Sequence, residues 1–275
     1  MSFSTIARSL EPLAAAMWGL FLGWTIILGA VWVGGVNEGW LRTVVPQDDL
    51  RLALVALAQS AVPTWLALAV VNIHLALSHA EGLSTARRWL FLLLAATLAL
   101  GMLARIKGLP FGPGDFKDTL GPRLLGVPVG WALLWVLLVV GARELVLWAR
   151  PRLRHESTAL AGAALVLLSF VNLQPLVVDG REGFRFWYHG TLASPTGAPW
   201  WAALSVFAVA AALGWLLREI RLGVSGRPRS RKPALAFLLF NVLLLLTHVR
   251  LWIVPLHPQT EVVVPPSPAT ATPSE

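Results

Sequence analysis

Residues 124–147 read LLGVPVGWALLWVLLVVGARELVL, a run whose only charges are Arg143 and Glu144 near its end. An α-helix rises about 1.5 Å per residue and the hydrocarbon core of a bilayer is about 30 Å thick, so roughly 20 apolar residues cross it. This run is long enough. Six more stretches read the same way: Leu13 to Val36, Leu50 to Leu77, Trp89 to Leu103, Thr158 to Val178, Pro199 to Leu217 and Pro233 to Val254. Trp89 to Leu103 is short and is expected to continue past Arg105. Unpaired backbone amides cost several kcal/mol each in lipid, so the spans must be helices packed on one another. The expected fold is all-α, a polytopic membrane helix bundle of about seven transmembrane helices. It forms one domain over residues 1–254, and the Pro-, Thr- and Ser-rich tail, 255–275, is expected to be disordered.

The composition of the whole chain agrees. Of 275 residues 56% are hydrophobic and 13% charged, with a mean hydropathy of +0.69, too apolar for an ordinary soluble domain. The net charge of +8 sits in connections between spans, where membrane topology accounts for it. No nucleic-acid partner is therefore expected, and membrane lipids are. There is no cysteine, which excludes disulfides and thiolate metal sites. The first apolar run is too long for a signal-peptide core and no small-residue cleavage site closes it, so it reads as a retained span.

Orientation follows from basic residues in alternate connections. The N-terminal side carries twelve Lys and Arg and the other side eight. That excess puts the N-terminus in the cytoplasm of what reads as a bacterial inner membrane. In either orientation the third and fifth loops share one face. The third loop and the start of the next span, FGPGDFKDTLGPRLLGVPVGW (residues 111–131), crowd glycine, proline, Asp115, Lys117 and Asp118 between two spans. The fifth carries Asp179, Glu182, Arg185, Trp187, Tyr188 and His189.

The plain reading of the third loop is a re-entrant or interfacial turn, with Pro122 and Pro128 around the start of the fourth helix, where a missing N–H is harmless. It leaves Asp115 and Asp118 unexplained. A partly desolvated carboxyl has its pKa raised, and in its protonated form it is a general acid. For the fifth loop the plain reading is an aromatic belt with snorkelling charges. Inside the spans, Asn72, Asn172 and Asn241 are expected to hydrogen-bond between helices, and His74 to be a satisfied hydrogen-bonder near a helix end. Arg143 and Glu144 are expected to snorkel. The seventh span holds no lysine for a retinal Schiff base, and neither a phosphate-binding loop nor a di-metal spacing is present.

FGP, Phe116, Asp118 and LGPRLLGVPVGW resemble the central motif of the carotenoid-biosynthesis membrane proteins, the family that includes the carotenoid ψ-end hydratases. Downstream, Asn172 to Pro175, Phe186 with Trp187, and Gly197 with Pro199 follow the order of that family's next motif. The resemblance covers about Phe91 to Leu217. The chain departs from the pattern at five positions. Gln174 replaces an acidic residue before Pro175, Ala202 an asparagine, Gly114 and Phe116 tyrosines, and Gly101 a glutamate.

The resemblance implies hydration of the terminal double bond of an acyclic or monocyclic carotenoid, by proton transfer and water capture. Asp118 is then the expected acid, with Asp115 and Asp179 next. Phe111, Phe116, Trp131, Trp187 and Tyr188 are the expected substrate-binding wall. No metal or organic cofactor is implied, and other enzymes of the pathway are expected partners. Two other readings stand beside it: a non-catalytic carotenoid-binding or scaffold protein of the pathway, and a small-molecule transporter.

Overall fold

Eight α-helices and four two-residue strands make up the secondary structure of the described residues. The computed structural model describes residues 3–36, 38–111, 114–116, 120–178, 188–189, 200–217 and 230–253. The tail expected over 255–275 lies outside them. In chain order the elements are α1 (Phe3–Trp32), α2 (Glu38–Val44), α3 (Asp48–Glu81), α4 (Leu83–Lys107), β1 (Gly114–Asp115), β2 (Arg123–Leu124) and β3 (Val127–Pro128). There follow α5 (Val129–Ala149), α6 (His155–Val178), β4 (Tyr188–His189), α7 (Trp200–Leu216) and α8 (Lys232–Ile253). Helices α1, α3, α4, α5, α6 and α8 are long and apolar enough to cross a membrane. The apolar stretch of α7, Trp201–Leu216, is shorter and lies along α6. The fold is an all-α polytopic bundle, as its hydropathy requires.

Helix α5 is the axis of this bundle. It touches α3, α4, α6, α7 and α8, and 78% of its span is buried against 11% of the α1 span. A helix that is hydrophobic all round belongs in the interior, and α5 is such a helix. Polar side chains stitch its neighbours together. The Trp24 indole donates to the carbonyl of Ala61 at 3.0 Å, the Trp65 indole to Thr25 Oγ1 at 2.8 Å, and Asn72 Nδ2 to the carbonyl of Met17 at 3.1 Å, all between α1 and α3. Ser169 Oγ donates to Asn241 Oδ1 at 2.8 Å between α6 and α8. Interhelical hydrogen bonding, expected of Asn72 and Asn241, is what these contacts are. At Asn172 it is the backbone carbonyl that is engaged, 2.6 Å from His248 Nε2.

Three expectations need correction. The fourth span begins at Val129, not Leu124, because residues 123–128 form a β2–β3 hairpin instead of a first helical turn. Pro122 and Pro128 cannot donate to a helix, and a residue preceding proline is pushed out of helical geometry. The two turn residues take positive φ, 53° at Leu125 and 82° at Gly126. Pro128, at φ −62°, is the N-cap of α5. Helix α3 overruns the expected 50–77 at both ends, and α4 starts at Leu83, ahead of the expected Trp89, while continuing past Arg105 to Lys107 as expected; the two helices meet at Gly82, φ 92°, whose N–H caps Ser78. Finally, Arg143 and Glu144 do not snorkel. They are 2% and 8% exposed and paired at 2.6 Å inside the bundle.

Candidate functional site

The third loop does not lie flat on the bundle; it folds back into it. Phe111, Phe116, Leu120 and Val127 are all buried at the end where α4 stops and α5 starts. Trp131 and Trp135 stand one turn apart on α5, so they share a face. Phe111 stacks on Trp135 at 5.5 Å between ring centroids and meets Trp131 edge-on at 5.8 Å. Phe116 meets Trp131 edge-on at 5.2 Å, and the two tryptophans are 5.9 Å apart. Arg123 Nη2 holds the returning chain by donating to the carbonyl of Phe116 at 2.6 Å. Centroid separations of about 4.5–7 Å are those of favourable aromatic pairs, so the four rings form one unit.

Its other wall is α4 at Gly101. A Cβ added there would stand 2.8 Å from Val127 Cγ1 and 3.0 Å from Trp131 Cδ1. The room that a side chain at position 101 would need is taken by the indole of Trp131. A side chain at position 101 would require Val127 and the Trp131 indole to shift.

The fifth loop reaches the same place. Strand β1 pairs antiparallel with β4, Gly114 opposite His189 and Asp115 opposite Tyr188. Asp115 precedes Phe116 in the chain, so this ladder stands next to the aromatic unit. Of the residues expected to form a site, Phe111, Phe116 and Trp131 are brought into contact, and Asp115 and Tyr188 are brought together as backbone partners. Asp118, Asp179 and Trp187 lie outside the described residues. Trp135 was not expected; its spacing of four from Trp131 puts the two rings on one face of α5. The arrangement is a buried unit of four rings beside the ladder that pairs the third loop with the fifth.

These features define a helical integral membrane protein whose two chemistry-bearing loops converge at one end of the bundle. The sequence profile of carotenoid biosynthesis proteins matches residues 59–259, and the chain belongs to that family. The match runs from within α3 to beyond α8, wider than the resemblance over about 91–217, and it contains both loops. No curated protein and no solved structure matches the chain.

Proposed function

We propose that this protein adds water to the terminal ψ-end double bond of an acyclic or monocyclic carotenoid. The observation that carries this reading is the antiparallel pairing of Asp115 with Tyr188, which joins the two loops beside the aromatic unit. In the reaction a neutral carboxyl gives its proton to the less substituted carbon of the terminal alkene, leaving a tertiary carbocation. Water attacks that cation through an oxygen lone pair, and the resulting oxonium returns a proton to the carboxylate. One water is added and the oxidation state of the molecule is unchanged. Asp118 takes the role of acid, with Asp115 and Asp179 as the other carboxyls of the two loops. Phe111, Phe116 and Trp131, with Trp187 and Tyr188 as the resemblance implies, are assigned the stabilisation of that cation; cation–π contacts are worth about 2 kcal/mol when desolvated. The excess of basic residues puts the N-terminus in the cytoplasm of a bacterial inner membrane and both loops on the outer face.

Expression in a host accumulating lycopene-type carotenoids tests this. A product heavier by one water with an unchanged chromophore is expected, and it disappears with Asp118→Asn. Unchanged pigments, with the protein present in the membrane, overturn hydration of those substrates. A second reading, a non-catalytic carotenoid-binding protein of the pathway, is favoured by the filling of the space at Gly101 by Trp131. It predicts pigment copurifying with the protein and no new product.

A further inference from the structure

Leu124 and Leu125 are 51% and 72% exposed, yet they belong to the β2–β3 hairpin and not to a membrane-crossing helix. The hairpin turns Val127 and Pro128 inward, where both are buried, and leaves Arg123 and Leu124 outward. Leu125 stands at its turn, with φ 53°. Beside it the last turn of α4 carries Arg105 and Lys107, both exposed. Exposed apolar groups rimmed by charged ones mark a surface that meets a partner.

Helix α4 fixes the level at which this tip stands. Residues 89–104 carry no charge and rise about 24 Å, between Arg87 and Arg88 at one end and Arg105 and Lys107 at the other. Long basic side chains reach toward water from the ends of a span, which makes up the rest of a hydrocarbon core about 30 Å thick. Arg105 therefore marks the headgroup level. Its guanidinium lies over Gly126, in the space that a Cβ there would occupy, so the hairpin turn is held at that level too. Leu92, Ala95, Ala99, Leu103 and Ile106, three or four residues apart, are exposed along one face of α4. This is its lipid-facing stripe, and the last member, Ile106, adjoins Arg105.

Continuity with that stripe makes lipid the partner of the tip, and the rim selects which lipid. Residues 105–125 hold Arg105, Lys107, Lys117 and Arg123 against Asp115 and Asp118, a net charge of +2. Basic residues at headgroup level favour anionic lipid by about fivefold each. We infer that the β2–β3 hairpin is an interfacial anchor for anionic phospholipid. Leu124 and Leu125 enter the boundary between headgroups and acyl chains, and Arg105 and Lys107 take the headgroup phosphate. Arg123 Nη2 donates to the carbonyl of Phe116 at 2.6 Å, so the anchor also ties the third loop to the membrane surface. None of this depends on chemistry at a carotenoid.

The chain has no cysteine, so full-length Leu125→Cys accepts a single bimane label, and Leu124→Cys is measured beside it. Each is reconstituted in phosphatidylcholine vesicles containing a trace of spin-labelled phosphatidylcholine or spin-labelled phosphatidylglycerol, with acrylamide as the quencher in water. Pro151→Cys, in the exposed turn between α5 and α6, gives the aqueous reference. Labels at 124 and 125 are expected to be quenched by the spin-labelled lipids and to lose most of the acrylamide quenching seen at 151. Phosphatidylglycerol is expected to quench about fivefold more effectively than phosphatidylcholine. Adding Arg105→Gln with Lys107→Gln should bring that ratio to one while the label stays in lipid. Acrylamide quenching equal to that at 151 puts the tip in water, and quenching by neither reagent puts it under protein; either result overturns the inference. So does equal quenching by the two lipids, or a preference that survives the double replacement.

Discussion

Arg143 and Glu144 are consecutive in α5, yet their side chains meet, Nη1 to Oε1 at 2.6 Å, with only 3% and 8% of each exposed. Neighbouring residues on a helix point about 100° apart, so the pair forms only because both side chains are confined to the crowded interior where α5 passes α6 and α8. Removing one partner from a buried ion pair leaves an uncompensated charge and costs about 3–5 kcal/mol. Glu144→Ala is therefore expected to lower the thermal midpoint of the full-length protein in detergent sharply. The double replacement Arg143→Met with Glu144→Leu is expected to recover most of the loss. A Glu144→Ala midpoint equal to that of the wild type would show that the pair is solvated.

Gly101 sets two effects against each other. Alanine is favoured over glycine in a helix by about 1 kcal/mol. Its methyl group would stand 2.8 Å from Val127 Cγ1, however, and overpacking a filled site costs about 1–3 kcal/mol. Val127 is held in the β2–β3 hairpin and Trp131 among three other rings, so neither gives way cheaply. Gly101→Ala is expected to destabilise by about 1 kcal/mol and Gly101→Glu by more. Trp131→Ala should lose less stability in the Gly101→Glu background than in the wild type. A double-mutant cycle on thermal midpoints measures that coupling; additivity of the two changes would mean the residues do not compete for space.

The bundle was legible in the sequence because hydropathy over a span is a summed signal that no single contact can overturn. Helix ends were less so. Gly82 terminates α3 and Pro128 delays α5, and both depend on local geometry that a hydropathy window averages away. The burial of Arg143 and Glu144 was illegible for a different reason. Snorkelling and burial place the same charges at the same sequence position, and only the neighbouring helices decide between them. At the candidate site, loop topology alone put the third and fifth loops on one face, and the choice of Phe111, Phe116 and Trp131 followed from the family resemblance. Their contact with Trp135 and the register of Asp115 with Tyr188 are tertiary facts, unavailable from spacing within either loop.

Ser169 and Asn241 offer a smaller test of how α8 is held. Asn241 accepts from Ser169 Oγ at 2.8 Å and donates to the carbonyl of Phe237 at 3.0 Å, so one side chain serves both its own helix and α6. Hydrogen bonds between membrane helices average about 0.6 kcal/mol in double-mutant cycles. A cycle of Ser169→Ala and Asn241→Leu is expected to give a coupling of that order, read from thermal or denaturant unfolding. Zero coupling would remove this contact from the forces holding α6 to α8.

The pairing of the two loops can be tested without reference to any substrate. Gly114 and His189 are cross-strand partners. Such partners have Cα atoms about 4.5–5.5 Å apart, within the roughly 4.4–6.8 Å that a disulfide spans. The chain contains no cysteine, so Gly114→Cys with His189→Cys introduces the only two thiols. Mild oxidation of the double variant in membranes is expected to close an intramolecular disulfide in high yield, detected as a mass loss of two hydrogens reversed by reductant. Gly114→Cys with Ser230→Cys, which places the thiols at opposite ends of the bundle, is expected to give none. Because the bridge replaces neither Asp115, Asp118 nor Tyr188, the oxidised first variant should keep whatever pigment binding or conversion the unmodified protein shows. Failure of the 114–189 bridge to form under conditions that oxidise free thiols would separate the two loops, and with them the site built on their convergence.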